Sequence, residues 1–160
     1  MDIKLLKYLA QNAKVSEREL AVMTGVSEAQ VHDEIRELED AGLIRGYKTV
    51  IDWEKLDSAN VSALIELKVT PQPEYGFEKI AEKVMNYPEV ESVYLMSGGY
   101  DFCVTVKGKT FQEVAMFVVK ELATIPGVTS TATHFILRRY KEMDVVLVDK
   151  DKDDRGAYSL

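Results

Sequence analysis

One short stretch of the chain combines a carboxylate with backbone that a ligand can approach closely. Asp101 follows a Ser97-Gly98-Gly99 turn, at the start of a run that alternates apolar and smaller side chains. Because glycine has no side chain, the amides of Gly98 and Gly99 can donate to a bound group at short range. An anion beside such donors suits a small ligand that carries both an ammonium and a carboxylate group.

Two threonines further along the chain can add hydroxyl groups to this site. Thr131 and Thr133 are two positions apart in a run with strand character, so their side chains lie on one face. We expect this strand and the strand before the glycine turn at opposite edges of one sheet, so a site that uses both draws on two subunits. The alternative is that Asp101 only caps the hairpin and the threonines only fill a strand.

An internal repeat predicts the fold that positions these residues. Three apolar residues recur 34 positions later, and a Pro-x-Val-x-Ser motif recurs 38 positions later. The paired positions are Phe77 with Phe111, Ala81 with Ala115, Val84 with Val118, and Pro88 with Pro126. Each half predicts a strand, a helix and a strand: 61–69, 77–86 and 90–96, then 102–106, 111–123 and 129–137. Two such units joined by the glycine turn make a βαββαβ, ferredoxin-like domain.

The first fifty residues predict a helix-turn-helix. Asp2 can cap a first helix, whose apolar face we expect to hold Ile3, Leu6, Leu9 and Ala13. Ser16-Glu-Arg-Glu19 and Ser27-Glu-Ala-Gln30 are capping boxes, in which two side chains satisfy two free amides at a helix start. The second box opens a longer helix with Val31, Ile35 and Leu38 facing inward. That helix ends at Ala41-Gly42, a typical glycine stop.

The rest of the chain follows from these two blocks. Residues 43–52 alternate enough to predict a strand, and 53–59 form a linker. We therefore predict an α+β chain: a helix-turn-helix domain at 1–52, the linker, a ferredoxin-like domain at 60–142 and a charged tail at 143–160. On helix pattern alone, the alternative for the first block is a helical cap packed on the repeat domain.

Composition limits the classes of function. The chain has a net charge of −7, and residues 1–60 hold eight Lys and Arg against twelve Asp and Glu. Cys103 is the only cysteine, so no intrachain disulfide can form, and a cytoplasmic location is expected. No apolar run approaches the ~18 residues of a membrane span. The two histidines and the cysteine show no metal-ligand spacing, and no Gly-rich phosphate loop precedes a helix. We expect no enzyme, catalytic residue, metal or cofactor.

Together these features resemble the Lrp/AsnC family of transcription regulators over residues 2–142. The helix-turn-helix, the Gly42-Leu-Ile-Arg-Gly-Tyr47 segment and the Ser-Gly-Gly-Tyr-Asp hairpin carry the resemblance. It implies an N-terminal DNA-reading domain and a C-terminal domain that senses amino acids and forms dimers, which assemble into tetramers or octamers. Some Lrp-like proteins are tetrapyrrole decarboxylases, so an enzyme is a remote alternative. The resemblance places the effector near the hairpin, giving the set Ser97, Gly98, Gly99, Tyr100, Asp101, Thr131 and Thr133.

The recognition helix departs from the family, in which this helix often carries prolines near its start and several arginines. Here its exposed side shows His32, Asp33, Glu34, Arg36, Glu37 and Asp40. Phosphate contacts supply much of the affinity for DNA, so an acidic helix is a disadvantage. The candidate contacts to double-stranded DNA are Arg18, Ser27, Gln30, His32, Arg36, Arg45 and Lys48, of which Gln30, His32 and Arg36 could read base edges.

These observations predict a sequence-specific, DNA-binding regulator of amino-acid metabolism that responds to a free amino acid. The leading alternative is an effector-binding oligomer that has little affinity for DNA and acts through protein partners.

Overall fold

Contacts within the chain divide it at Val50 into two units, which are described separately. Unit 1 is Met1–Val50 and unit 2 is Ile51–Leu160. The computed structural model describes residues 3–56, 60–74 and 76–148. In these ranges no helix is both long enough and apolar enough to cross a membrane.

Unit 1 contains three helices, α1 (Ile3–Gln11), α2 (Glu17–Thr24) and α3 (Glu28–Asp40). Both predicted capping boxes are present. The Glu19 amide donates to Ser16 Oγ at 3.2 Å, and the Ser16 amide donates to Glu19 Oε2 at 2.9 Å. The box at Ser27 has the same two bonds. Gly25, whose φ of 78° suits glycine, caps the end of α2, and α3 starts three residues after it, as a helix-turn-helix requires.

The core of unit 1 differs from the prediction on α1. Leu5 is 1% exposed and Leu9 is buried, whereas Ile3 is 58% exposed and Ala13 lies beyond the helix end. The buried pair has i, i+4 spacing, so the stripe runs through Leu5 instead of Ile3 and Ala13. Leu20, Val31 and Leu38 complete the buried core, with Leu6 and Ile35 packed at its edge. The predicted cap at Asp2 lies outside the described residues.

The strand predicted at 43–52 is wrong. The amides of Leu43 and Ile44 both donate to the Leu38 carbonyl, at 2.9 and 3.1 Å, so the chain folds back on the end of α3. A strand needs a hydrogen-bonded partner, and no described segment pairs with these residues. Trp53–Lys55 then forms one turn of 3₁₀ helix.

Unit 2 has the predicted βαββαβ order. Its elements are β1 (Val61–Val69), α4 (Phe77–Met85), β2 (Val90–Leu95), β3 (Phe102–Gly108), α5 (Phe111–Phe117) and β4 (Val128–Phe135). α5 continues as one π turn at Val118–Leu122, which fills the predicted helical span. The strands form one antiparallel sheet in the order β2-β3-β1-β4, which confirms the ferredoxin-like fold. A separate hairpin follows, β5 (Lys141–Glu142) with β6 (Val145–Val146).

The two faces of the sheet have different environments. Ala63, Ile65 and Leu67 of β1 are fully buried, in a core that also includes residues of β3, α4 and α5. Of the alternate residues of β1, which point to the other face, Leu64, Glu66 and Lys68 are at least partly exposed, whereas Ser62 is buried. β2 and β4 lie at the two edges, as predicted.

Substitutions in α1 test the corrected core. Leu5→Ala should lower the free energy of unfolding by about 2–4 kcal/mol, because it opens a cavity among buried leucines. Ile3→Ala is the matched control two positions away on the same helix and should cost well under half as much, because Ile3 is 58% exposed. Urea unfolding followed by circular dichroism measures both. Equal losses of unfolding free energy in the two variants would instead support the apolar stripe through Ile3 that the sequence predicts.

Candidate functional site

The glycine turn between β2 and β3 is open to solvent. A hydrogen bond joins the two ends of the turn: the Met96 amide donates to the Asp101 carbonyl at 2.8 Å. Gly98 has a φ of 150°, a value that favours glycine, and a Cβ at Gly98 or Gly99 would meet no atom within 4 Å. Both positions therefore leave the backbone accessible to a ligand.

Asp101 links this turn to the end of β1. Its Oδ2 accepts from the Val69 amide at 2.7 Å, and its own amide donates to the Leu67 carbonyl at 2.9 Å. One carboxylate oxygen therefore extends the ladder between β3 and β1. Asp101 thus has a structural role that the sequence only partly indicated. Its other carboxylate oxygen has no hydrogen-bond partner among the described residues.

Tyr100 lies beside the partly exposed face of the sheet, opposite the face that packs against the helices. Partial burial raises the pKa of its hydroxyl, and the neighbouring Cys103 and Glu66 raise that pKa further. The phenol therefore stays protonated at neutral pH and can donate a hydrogen bond. On the same face, Glu66 Oε1 lies 3.3 Å from His134 Nε2, between two adjacent strands.

Thr131 and Thr133 lie on one face of β4, as predicted, and that face is the one packed by helices. They pair with Leu67 and Ile65 of β1, whose side chains are fully buried, and are themselves half-buried. Asp101 lies on the other side of β1, two strand spacings away, or about 10 Å. Within one chain, the structure brings the hairpin residues together but keeps the threonines apart from them.

Ser27 and Gln30 are engaged in the cap of α3. Gln30 Oε1 accepts from the Ser27 amide at 3.0 Å and from Ser27 Oγ at 2.9 Å. Recognition of adenine by a glutamine needs this oxygen as an acceptor together with the amide nitrogen as a donor. While the capping box is closed, Gln30 has only its nitrogen to offer to a base.

His32 is bonded across the helix-turn-helix to α2. Its Nδ1 lies 3.0 Å from Glu17 Oε1, and the two side chains are 51% and 40% exposed. They border a cleft of about 260 Å³, whose other lining residues are Leu9, Ala13, Val15, Ile35, Arg36, Glu39 and Tyr47. Sequence reasoning missed Glu17 at this site, because 15 positions separate it from His32.

The basic side chains of unit 1 that were predicted to contact DNA are all exposed, although one of them packs against a nearby glycine. Arg45 folds over Gly42, where a Cβ would lie 2.9 Å from the guanidinium carbon. Nearby, Tyr47 donates to Glu39 Oε1 at 2.9 Å, and burial together with Glu39 raises the pKa of that phenol. These contacts hold the segment that carries Arg45 and Lys48 against α3. Arg18 and Arg36 have no recorded ion pair in the described part of the chain.

α3 is strongly acidic. Its 13 residues include six Asp and Glu and one Arg. Asp33, Glu37 and Asp40 are exposed on the side away from the core. Across residues 3–56, 60–74 and 76–148, no three metal-ligating side chains gather in a cluster that could hold an ion.

Comparison with known proteins identifies both units. Residues 62–146, more than half of the chain, match the Lrp/AsnC ligand binding domain, and residues 1–45 match a winged helix-turn-helix DNA-binding domain. The chain belongs to the Lrp/AsnC family of transcriptional regulators. The family resemblance that the sequence suggested is thus confirmed.

Named relatives agree with this assignment. An uncharacterized HTH-type transcriptional regulator of Bacillus subtilis, YugG, is 40% identical over 99% of this chain and 96% of its own length. The HTH-type transcriptional regulator FL11 of Pyrococcus horikoshii is 32% identical over 89% of this chain and 91% of its own. These relatives are named as regulators, not as enzymes, in agreement with expectation.

Solved structures show the same fold. A transcriptional regulator of Neisseria meningitidis, solved in complex with L-Met, aligns with a TM-score of 0.72 and 24% identity over 89% of this chain and 93% of its own. The leucine response regulatory protein of Mycobacterium tuberculosis aligns with a TM-score of 0.74 and 22% identity over 92% of this chain and the whole of its own.

The bond between Asp101 and Val69 predicts a difference between two substitutions. Asp101→Ala should destabilise unit 2 by about 1–3 kcal/mol, because it leaves the Val69 amide without its acceptor. Asp101→Asn should cost less, since its amide oxygen can still accept that bond. Denaturant unfolding measures both variants. Equal stability of Asp101→Ala and the unchanged protein would show that the carboxylate does not hold the end of β1.

Proposed function

We propose that this regulator binds specific sites in double-stranded DNA through unit 1 and responds to a free amino acid bound by unit 2. The observation that carries the proposal is the Asp101 carboxylate two residues after the open backbone of Gly98 and Gly99, inside a matched ligand-binding domain. One carboxylate oxygen holds Val69, and the other can accept from an ammonium group. The open glycine backbone can donate to a carboxylate.

Names of relatives support this class of effector and a role in metabolism. Among the similar proteins are a leucine-responsive regulatory protein of Haemophilus influenzae and a proline dehydrogenase transcriptional activator of Rhodobacter capsulatus. The Neisseria structure contains L-Met. We therefore propose an amino-acid effector, and a cytoplasmic location where the chromosome is accessible.

The effector site that we propose lies between subunits of a homo-oligomer. Asp101 and Thr131 are too far apart in one chain to hold the same ammonium and carboxylate, which are only a few ångströms apart in an amino acid. β4 is an edge strand, and unpaired edges invite a second chain. A ligand approaching the free edge of β4 could then meet the hairpin of a partner. We propose a dimer built on residues 60–142 that assembles further, into a tetramer or octamer.

An effector screen tests the pocket. The melting temperature of the full chain, measured against the twenty amino acids, should rise with the true effector, because a ligand bound only by the native state stabilises it. Asp101→Asn should keep the fold and the oligomer, checked by light scattering, and lose the rise. Asp144→Asn removes one charge from the exposed turn between β5 and β6 and should keep it. A rise retained in Asp101→Asn would place the ligand elsewhere.

To bind DNA, unit 1 must overcome the repulsion between its net negative charge and the phosphates. Residues 1–50 hold seven Lys and Arg against nine Asp and Glu, a net charge of −2, so each copy offers few phosphate contacts. An oligomer compensates, because several copies on one stretch of DNA multiply weak affinities. The acidic α3 favours the alternative, an effector-binding oligomer that acts through protein partners. Gel-shift measurements at low and at physiological salt separate the two, since the alternative predicts no specific complex in either.

Arg36 is the candidate for reading bases. Arg36→Lys keeps the positive charge but loses the planar fork that binds guanine through two bonds. If Arg36 reads a base, this variant should lose about 1–3 kcal/mol of preference for the selected site over random DNA, with nonspecific affinity unchanged. Arg18→Lys is the matched control and should keep the preference, because a phosphate contact needs only charge. Competition titrations measure both; equal preference for Arg36→Lys and the unchanged protein would assign Arg36 to phosphate contact.

A further inference from the structure

The bond between His32 and Glu17 fixes which nitrogen of the neutral imidazole carries the proton. A carboxylate only accepts hydrogen bonds, so the 3.0 Å contact to Glu17 Oε1 requires a proton on His32 Nδ1. In the neutral ring, Nε2 is then an acceptor. In the imidazolium, Nε2 becomes a donor, and the ring gains a positive charge at the half-exposed edge of α3.

The groups around His32 make the charge of the ring important. Glu17 comes from α2, Arg36 and Glu39 come from α3, and Tyr47 comes from the segment after α3. The lining residues from α1 and the loop after it are apolar. Two carboxylates therefore oppose one guanidinium when the ring is neutral, and protonation of His32 balances them. A cleft with excess negative charge repels phosphates, and a balanced one does not.

We propose that His32 is a proton-linked DNA contact: the regulator binds DNA with His32 as the imidazolium, oriented by Glu17, and takes up a proton as the complex forms. This inference rests on the DNA binding proposed above. The chain has only two histidines, so few groups other than His32 can change charge near neutral pH.

The direction of the pH dependence follows from linkage. Phosphate oxygens favour the charged imidazolium, so the complex holds the proton more tightly than the free chain does. At low pH the free ring is already charged, and affinity is at its maximum. As pH rises through the range in which imidazole titrates, the proton must be taken up on binding. Affinity then falls, by up to about tenfold per pH unit for one proton.

Salt dependence provides a second readout. Each phosphate that a cation neutralises steepens the slope of log affinity against log salt by about 0.9. At low pH, His32 adds one cation to the contact surface. The slope should therefore be steeper by about one such increment at low pH than at high pH, which a purely structural histidine would not produce.

The test uses the full chain and a duplex carrying a site selected by that chain from random sequence. Affinity is measured by fluorescence anisotropy from about pH 5.5 to about pH 8.5 at constant ionic strength, across the histidine range. His32→Gln should bind with little pH dependence, at the affinity of the unchanged protein at high pH. Its amide can still donate to Glu17, and circular dichroism confirms the fold.

The other histidine is the matched control. His134 lies in unit 2, where its Nε2 is 3.3 Å from Glu66 and its side chain is 57% exposed, so its surroundings are similar. His134→Gln should retain the full pH dependence. Retention of that dependence in His32→Gln, or its absence in the unchanged protein, would overturn the proton linkage and leave DNA binding intact. Failure to select or bind any duplex at low salt would overturn the proposed function as well.

Discussion

Strand β1 connects the two sides of the sheet in unit 2, because it pairs with β3 on one side and with the edge strand β4 on the other. It pairs with β3 over seven positions and with β4 over seven, while β2 reaches it only through β3. At its end, Val69 has left the regular ladder with β3 and donates instead to the Asp101 side chain. The residue that we propose offers charge to a ligand is thus also the residue that completes an interior strand. A ligand that displaces the Asp101 side chain would therefore also disturb the backbone of β1, which that side chain holds.

The features that sequence predicted well are those determined by near neighbours. Both capping boxes involve residues three positions apart, and the βαββαβ order follows from a repeat that needs no knowledge of contacts. On α1, helical spacing allowed two apolar stripes, and only packing against Leu20 and Val31 selects the one through Leu5. Residues 43–52 alternate as a strand does, but alternation cannot supply a partner, and Leu38 takes their first amides instead.

The candidate sites were harder to predict for the same reason. The hairpin was visible because Gly98, Gly99 and Asp101 are adjacent in sequence, but the bond from Asp101 to Val69 spans 32 positions. The placement of Thr131 on the helix-packed face depends on the register of β4 against β1. In unit 1, the partner of His32 comes from another helix. Long-range contacts therefore decide what each candidate residue has left to offer a ligand.

In unit 1 the interactions that stabilise the helices oppose those that bind DNA. Gln30 uses its carbonyl oxygen to cap α3, and carboxylates at the start of α2 complement the exposed amides there. Each such group stabilises the fold and reduces what the surface offers to a nucleic acid. The weak binding by one copy that we propose would make the number of copies on the DNA decisive, since linked sites multiply small affinities. An effector that alters how unit 2 assembles would then change DNA occupancy without touching unit 1, and by reciprocity DNA would change the affinity for the effector by the same factor.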